Sequence, residues 1–143
     1  MSKYISDELR HRVREQAANR CGYCLSPQHL VLGTLEIEHI VPRSKGGASE
    51  ESNLWLACRL CNNFKSDQTE SVDPQTNQRL PLFNPRQQAW ADHFFWSDDG
   101  TRILGATPYG RVTVVALQLN NLVAVMVRRN WVAAGWHPPK DGG

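Results

Sequence analysis

No stretch of this sequence is apolar for long enough to cross a bilayer. The longest apolar run, Leu122 to Val127, is far short of the ~20 residues a spanning helix needs. The opening MSKYISDELRHRVREQ has no apolar h-region, so no secretion signal is expected and the cytoplasm is the expected compartment. A surplus of one charge is also missing. Sixteen Lys and Arg stand against fourteen Asp and Glu, a net charge of +2. Residues 1–70 carry nine of each sign, and residues 71–143 carry seven basic against five acidic. Neither half is a basic tail, so any polyanion must be met by locally placed cations. Repeats and low-complexity segments are absent. Apolar residues make up 41% and charged residues 21%, a balance that excludes a disordered chain and suits one compact domain with an appendage.

Cysteine is scarce but patterned. The four cysteines form Cys21-x-x-Cys24 and Cys58-x-x-Cys61. Without a secretion signal, disulfides are poor candidates and metal ligands better ones. A two-residue gap lets both thiolates of a pair reach one ion, and two pairs complete a tetrahedral Zn²⁺ site with no vacancy for substrate. The 33 residues between the pairs exceed a zinc-ribbon gap, so an insertion lies between the knuckles. The alternatives are unrelated buried cysteines or a redox-active CxxC, which is usually single and near a βαβ pattern that is missing here.

Local patterns give a helix, knuckle, strand, loop, strand, helix order. Ser6 is a cap for a helix over Asp7–Asn19, with Leu9, Val13 and Ala17 on one side. Leu35 to Ile40 alternates apolar and polar residues as a short strand, and Pro42 and Gly46-Gly47 open an irregular loop through Asn53. Leu54–Ala57 reads as a second strand and Asn62–Asp67 as a short helix. Residues 69–82 read as a polar surface connection. Beyond them, Asp98-Asp99-Gly100 marks a hairpin between Phe94–Ser97 and Thr101–Gly105. An amphipathic helix is expected through Val112 to Leu119, with strand as the alternative over Arg111–Leu119. A second helix over Asn121–Ala134 would place Val123, Val127, Trp131 and Ala134 on one face, ended by Gly135.

The insertion carries Glu38-His39-Ile40-x-Pro42-x-Ser44-x-Gly46-Gly47, then Asn53-Leu54, then Cys58-x-x-Cys61-Asn62-x-x-Lys65. Phosphodiester hydrolysis needs a base for water and a cation for the charge that develops on oxygen. A histidine titrating near neutrality suits the first task. Glu38 and Asn62 offer hard oxygen ligands suited to Mg²⁺ or Mn²⁺. On a regular strand Glu38 and His39 point to opposite faces, so this reading requires a departure from strand geometry near His39.

Cys21 to Lys65 resembles an HNH endonuclease of the ββα-metal superfamily, in the branch stapled by two CxxC knuckles. The three signature positions fall on His39, Asn53 and Asn62, separated by 14 and 9 positions. The same order is similar to the HNH domain of CRISPR-associated nucleases. The resemblance implies that His39 is the general base, that Glu38 and Asn62 ligate a catalytic Mg²⁺ or Mn²⁺, and that Asn53 braces the loop around His39. It also implies that Cys21, Cys24, Cys58 and Cys61 hold a structural Zn²⁺ and that Lys65 contacts phosphate. Arg43, Lys45 and Arg59 lie close to the site in sequence and are further candidates to steer phosphate. Asp is commoner at position 38 and His at position 62, but both residues present still offer oxygen. The C-terminal half is more weakly similar to small bacterial, often cyanobacterial, proteins of the same kind.

The expected architecture is therefore α+β: a zinc-stapled ββα-metal core with an N-terminal helix over residues 1–70, and a hairpin-plus-helices extension over 71–143 packed on it. The expected activity is DNA hydrolysis through mostly backbone contacts, nicking with one site per chain, a homodimer being one route to a double-strand break. The rivals are a non-catalytic zinc module that binds nucleic acid and a nuclease acting on RNA or structured substrates. No membrane partner is expected.

Overall fold

The computed structural model describes residues 4–140. They divide into two compact units, 4–69 with Asn84–Gln88 and Glu70–Phe83 with 89–140. The architecture is mixed α and β, with three two-stranded antiparallel sheets and five α-helices among the described residues. None of these helices is long and apolar enough to cross a membrane.

In the first unit, helix α1 spans Asp7–Gln16, and its Ser6 cap accepts a hydrogen bond from the Leu9 amide at 3.1 Å. The helix stops three residues before the expected Asn19, because Ala18 and Asn19 adopt left-handed backbone that breaks the helical ladder. Strands β1 (Glu36–His39) and β2 (Leu54–Ala57) pair antiparallel with Ile37 opposite Leu56 and His39 opposite Leu54. Opposed residues share a face. One face of this ribbon meets α1, where Val13 and Leu54 are buried with Ile5, and Ala17 is buried with Leu35 and Leu56. Glu36 and Glu38 belong to the other face.

Helix α2 runs over Arg59–Lys65, earlier than the expected Asn62–Asp67, because Cys58 acts as its N-cap and its sulfur accepts from the Cys61 amide at 3.4 Å. Asn84–Gln88 is tied to this unit by Arg86. Its guanidinium donates to the Leu54 carbonyl at 3.1 Å and to Gln16 Oε1 at 2.6 Å, and lies over the Trp55 ring.

The second unit contains a hairpin where a plain connection was expected. Strands β3 (Glu70–Val72) and β4 (Arg79–Pro81) pair across a turn organised by Asp73, which accepts from the Gln75 amide and the Thr76 hydroxyl. Arg111 grips the same carboxylate with two bonds of 2.9 Å. Helix α3 covers Trp90–His93, and the hairpin of β5 (Phe94–Trp96) and β6 (Ile103–Gly105) follows. Helix α4 spans Pro108–Ala116, starting before Val112 because the Thr107 hydroxyl caps it. Helix α5 spans Leu122–Ala134, capped by Asn121 and closed by left-handed Gly135. Its buried residues are Val125, Arg128 and Trp131, whereas Val123, Val127 and Ala134, expected on one face with Trp131, are exposed. The helix is rotated because the Arg128 guanidinium is drawn inward to the carbonyls of Thr101 and Leu119.

Candidate functional site

The first cysteine pair sits in a tight turn after α1. The Leu25 amide donates back to the Cys21 carbonyl at 3.0 Å, and the Cys21 amide to the Ser26 carbonyl. Between the two cysteines, the Gly22 amide donates to Leu56 on β2 at 2.8 Å. A side chain at Gly22 would collide with the Trp55 indole and Pro85, so only glycine lets the turn lie this close to the strand. The second pair is delivered by β2 and the first turn of α2. All four sulfurs lie within 4.8 Å of one another, with Cys24 and Cys58 at 3.7 Å. A tetrahedral Zn²⁺ with bonds near 2.3 Å requires sulfurs about 3.8 Å apart, so the quartet fits that ion.

Burial pushes the Cys21 thiol well above its ordinary range. Hydrogen bonds from Cys21, Cys58 and Cys61 hold the Cys24 thiol well below its own. Three of the four cysteines are buried and Cys58 is half-buried. Such a site staples β2, α2 and the first knuckle together and has no position left for substrate.

The face of β1 opposite α1 carries two acids, and the structure treats them differently. Asn62 Nδ2 donates to Glu36 Oε1 at 2.8 Å, and both residues are partly exposed. Glu38 is 2% exposed. Its carboxylate accepts from the Tyr23 hydroxyl at 3.0 and 2.8 Å and pairs with Lys65 Nζ at 2.8 Å. Burial raises the Glu38 carboxyl above its ordinary value despite the opposing pull of Lys65. Burial, with the Glu38 charge second, pushes the Tyr23 phenol well up.

Lys65, expected at phosphate, is likewise 2% exposed. Its ammonium also donates to the carbonyls of His39 at 3.2 Å and Ile40 at 3.0 Å. The last turn of α2 points inward, which is why this cation does not stand with the exposed Arg43, Lys45 and Arg59. Glu38 and Asn62, expected as one ligand pair, therefore have separate partners.

His39 ends β1 with its ladder intact, so by strand parity it lies on the face opposite Glu38. The expected departure from regular geometry does not occur within the strand. The imidazole is half-buried, and its Nε2 shares a 2.9 Å hydrogen bond with the Ser49 hydroxyl. Burial first, then the charges of Arg43 and Lys65, lower its pKa from the ordinary value.

Asn53 closes the loop that follows. Its Oδ1 accepts from the Val41 amide at 2.9 Å, and its Nδ2 donates to the carbonyls of Val41 at 3.0 Å and Ala48 at 2.9 Å. One more bond, from the Ile40 amide to the Asn53 carbonyl at 2.9 Å, extends the β1–β2 pairing to this point. The loop carrying Arg43, Lys45 and Ser49 is thereby fixed at both ends.

Tyr23, Glu36 and Ser49 join this site without having stood out in the sequence. A signal existed for Glu36, since alternation places it on the Glu38 face. Tyr23 lies between ligand cysteines and Ser49 in a loop, where no local pattern marks them.

No curated protein and no solved structure matches the chain. The family model for HNH endonuclease matches residues 21–68. That match supports a nuclease, a hydrolase that binds nucleic acid, and the cysteine cluster agrees with zinc binding. The matched stretch runs from the first cysteine pair to just past α2 and covers about a third of the chain.

Proposed function

We propose that this chain is a metal-dependent endonuclease that hydrolyses phosphodiester bonds in DNA, with His39 as general base. The observation that carries the reading is the state of His39. A partly exposed imidazole, held by Ser49 on a loop clamped by Asn53, has its pKa lowered by burial and by Arg43 and Lys65. A lowered pKa leaves the ring neutral at neutral pH, the form able to take a proton.

In this mechanism His39 removes a proton from water as the water oxygen attacks phosphorus, and the bond to the 3′ oxygen breaks, that oxygen taking a proton from solvent to leave as a 3′ hydroxyl beside a 5′ phosphate. Asn53 keeps the ring aimed through the loop. Arg43, Lys45 and Arg59, all exposed, meet the phosphate backbone. Asn62 together with an acid of β1 would hold Mg²⁺ or Mn²⁺. Glu38 is the family position and Glu36 is the carboxylate that Asn62 touches. Two oxygen-bearing side chains suit an ion that keeps most of its waters, and its charge would stabilise the phosphorane. One site per chain makes a nick, and a homodimer supplies the second cut.

The test is nicking of supercoiled plasmid with Mg²⁺ or Mn²⁺, with single-stranded DNA and folded RNA in parallel. Wild type should nick plasmid, and His39→Ala should lose the activity while keeping zinc and fold. Equal nicking by His39→Ala discards the mechanism, and cleavage of RNA alone moves the substrate. Two observations favour a second reading, a non-catalytic zinc module that binds nucleic acid: the Glu38 carboxylate is closed off by Tyr23 and Lys65, and strand parity sets His39 on the face opposite Glu36 and Glu38. That reading expects DNA binding without cleavage under either metal.

A further inference from the structure

We propose that Lys65 is a positioning residue for His39, an internal cation that fixes the end of β1, and not a contact to the nucleic-acid backbone. The inference rests on the reading of His39 as the base. An ammonium has three donors and no acceptor. Those of Lys65 have three acceptors at hand: Glu38 Oε1 at 2.8 Å, the His39 carbonyl at 3.2 Å and the Ile40 carbonyl at 3.0 Å. With the side chain 3% exposed, no donor is left to turn toward a phosphate. Using it there would strip Glu38 of its counter-charge in a buried setting, which is costly.

The place of these acceptors gives the cation its task. His39 and Ile40 are the point where β1 ends and the loop to Ser49 begins. A strand end carrying a general base is free to fray unless something outside the ladder holds it. Asn53 holds the loop from the β2 side. Lys65 holds the same joint from α2, through main-chain oxygens of the base itself and of its neighbour. Glu38, fastened on its far side by the Tyr23 hydroxyl at 2.8 Å, keeps the ammonium from swinging outward. Tyr23 lies inside the first cysteine knuckle, so the chain of contacts runs from the cysteine cluster through Tyr23, Glu38 and Lys65 to the backbone of His39.

A phosphate contact and a positioning role separate cleanly in the Lys65→Met variant. Three measurements are compared with wild type, each on the zinc-loaded full chain: the imidazole NMR signals of His39, the salt dependence of binding to a DNA duplex without added Mg²⁺ or Mn²⁺, and steady-state cleavage. Positioning is expected to shift or broaden the His39 ring signals and to leave the salt slope of binding unchanged. It should lower kcat by about 100-fold with KM unmoved, the loss that a misplacement near 1 Å produces.

A phosphate contact gives the reverse. The salt slope falls by about one, KM rises, and the ring signals stay where they are; that result overturns the proposal. Should Lys65→Met fail to fold because Glu38 is left unpaired, the Lys65→Gln/Glu38→Gln pair removes both buried charges together. The ring signals and the salt slope then decide in the same way. Both are read without cleavage, so a wild type that cuts no substrate removes the nuclease reading while the ring signals still decide whether Lys65 fixes His39.

Discussion

Replacing Asn53 with alanine removes three hydrogen bonds at one stroke: from the Val41 amide to Oδ1, and from Nδ2 to the carbonyls of Val41 and Ala48. Each such bond contributes about 1 kcal/mol net, because water competes for both partners in the unfolded chain. The two bonds to Val41 are at the surface, where water partly replaces them, while the bond to Ala48 is more enclosed. The expected loss is therefore about 1.5–3 kcal/mol, a large part of the 5–15 kcal/mol typical of a domain.

Asn53→Asp sharpens the test. It keeps an acceptor for the Val41 amide but turns a second oxygen toward two carbonyls with no proton between them. It should cost at least as much as alanine. Urea unfolding of the zinc-loaded protein reads the stability, and hydrogen exchange at the Val41 amide reads the clamp itself. If Asn53→Ala stays within about 0.5 kcal/mol of wild type, the range of ordinary surface changes, or if aspartate is tolerated better than alanine, the loop is held by something else. Asn53 then does not aim His39.

Other perturbations probe the same region. Gly47→Ala would set a methyl group against the Val41 carbonyl oxygen and 2.9 Å from Asn53 Nδ2. Since backbone cannot step aside cheaply, a loss of about 1–3 kcal/mol is expected in urea unfolding, and an unchanged midpoint would contradict the packing described. Cleavage should rise with pH to a plateau whose midpoint lies below the ordinary histidine value of 6.5, because the folded state lowers the His39 pKa. The same depression means that, as pH falls below that value, the unfolded chain takes up a proton that the folded chain does not. Stability should therefore drop through that window, and a midpoint above 6.5 would count against His39 as the base. Cys58→Ser removes a thiolate ligand of the proposed zinc site, while its hydroxyl can still cap α2. Elemental analysis should show loss of zinc, and circular dichroism loss of helix, because structural zinc contributes to folding directly; one bound zinc with wild-type helicity would refute the ligand set.

Where structure is written in neighbouring residues, the sequence was readable. A CxxC spacing is a chelate geometry in itself, and both pairs fold onto one another as that chemistry asks. Strand β2 was legible at Leu54–Ala57, and Asp98-Asp99-Gly100 marked the turn between β5 and β6. The β3–β4 hairpin was not legible, for a physical reason. Its strands are three residues each, one ends in proline, and the turn is gripped by Arg111, thirty-eight positions away. Helix α5 misled for a similar cause. Its residues carry two apolar stripes, and what selects between them is an arginine drawn inward by carbonyls of two other segments. No count of apolar residues reveals an inward-facing cation.

The acids of β1 show the limit most sharply. Motif order places Glu38 beside His39, and adjacency in sequence suggests adjacency in space. A strand does the opposite, sending neighbours to opposite faces and bringing residues two apart together. Once the ladder runs intact through His39, Glu36 and Glu38 must both look toward α2. Which of them keeps a buried partner is then decided by the helix. Asn62 and Lys65 are three apart, hence on one face of α2, and they meet the two acids in order, amide to Glu36 and ammonium to Glu38. A fully charged, desolvated partner closes its carboxylate far more firmly than a neutral amide does. The acid left with a displaceable partner is therefore Glu36, and any cation entering between β1 and α2 meets Asn62 and Glu36 before it can compete for Glu38.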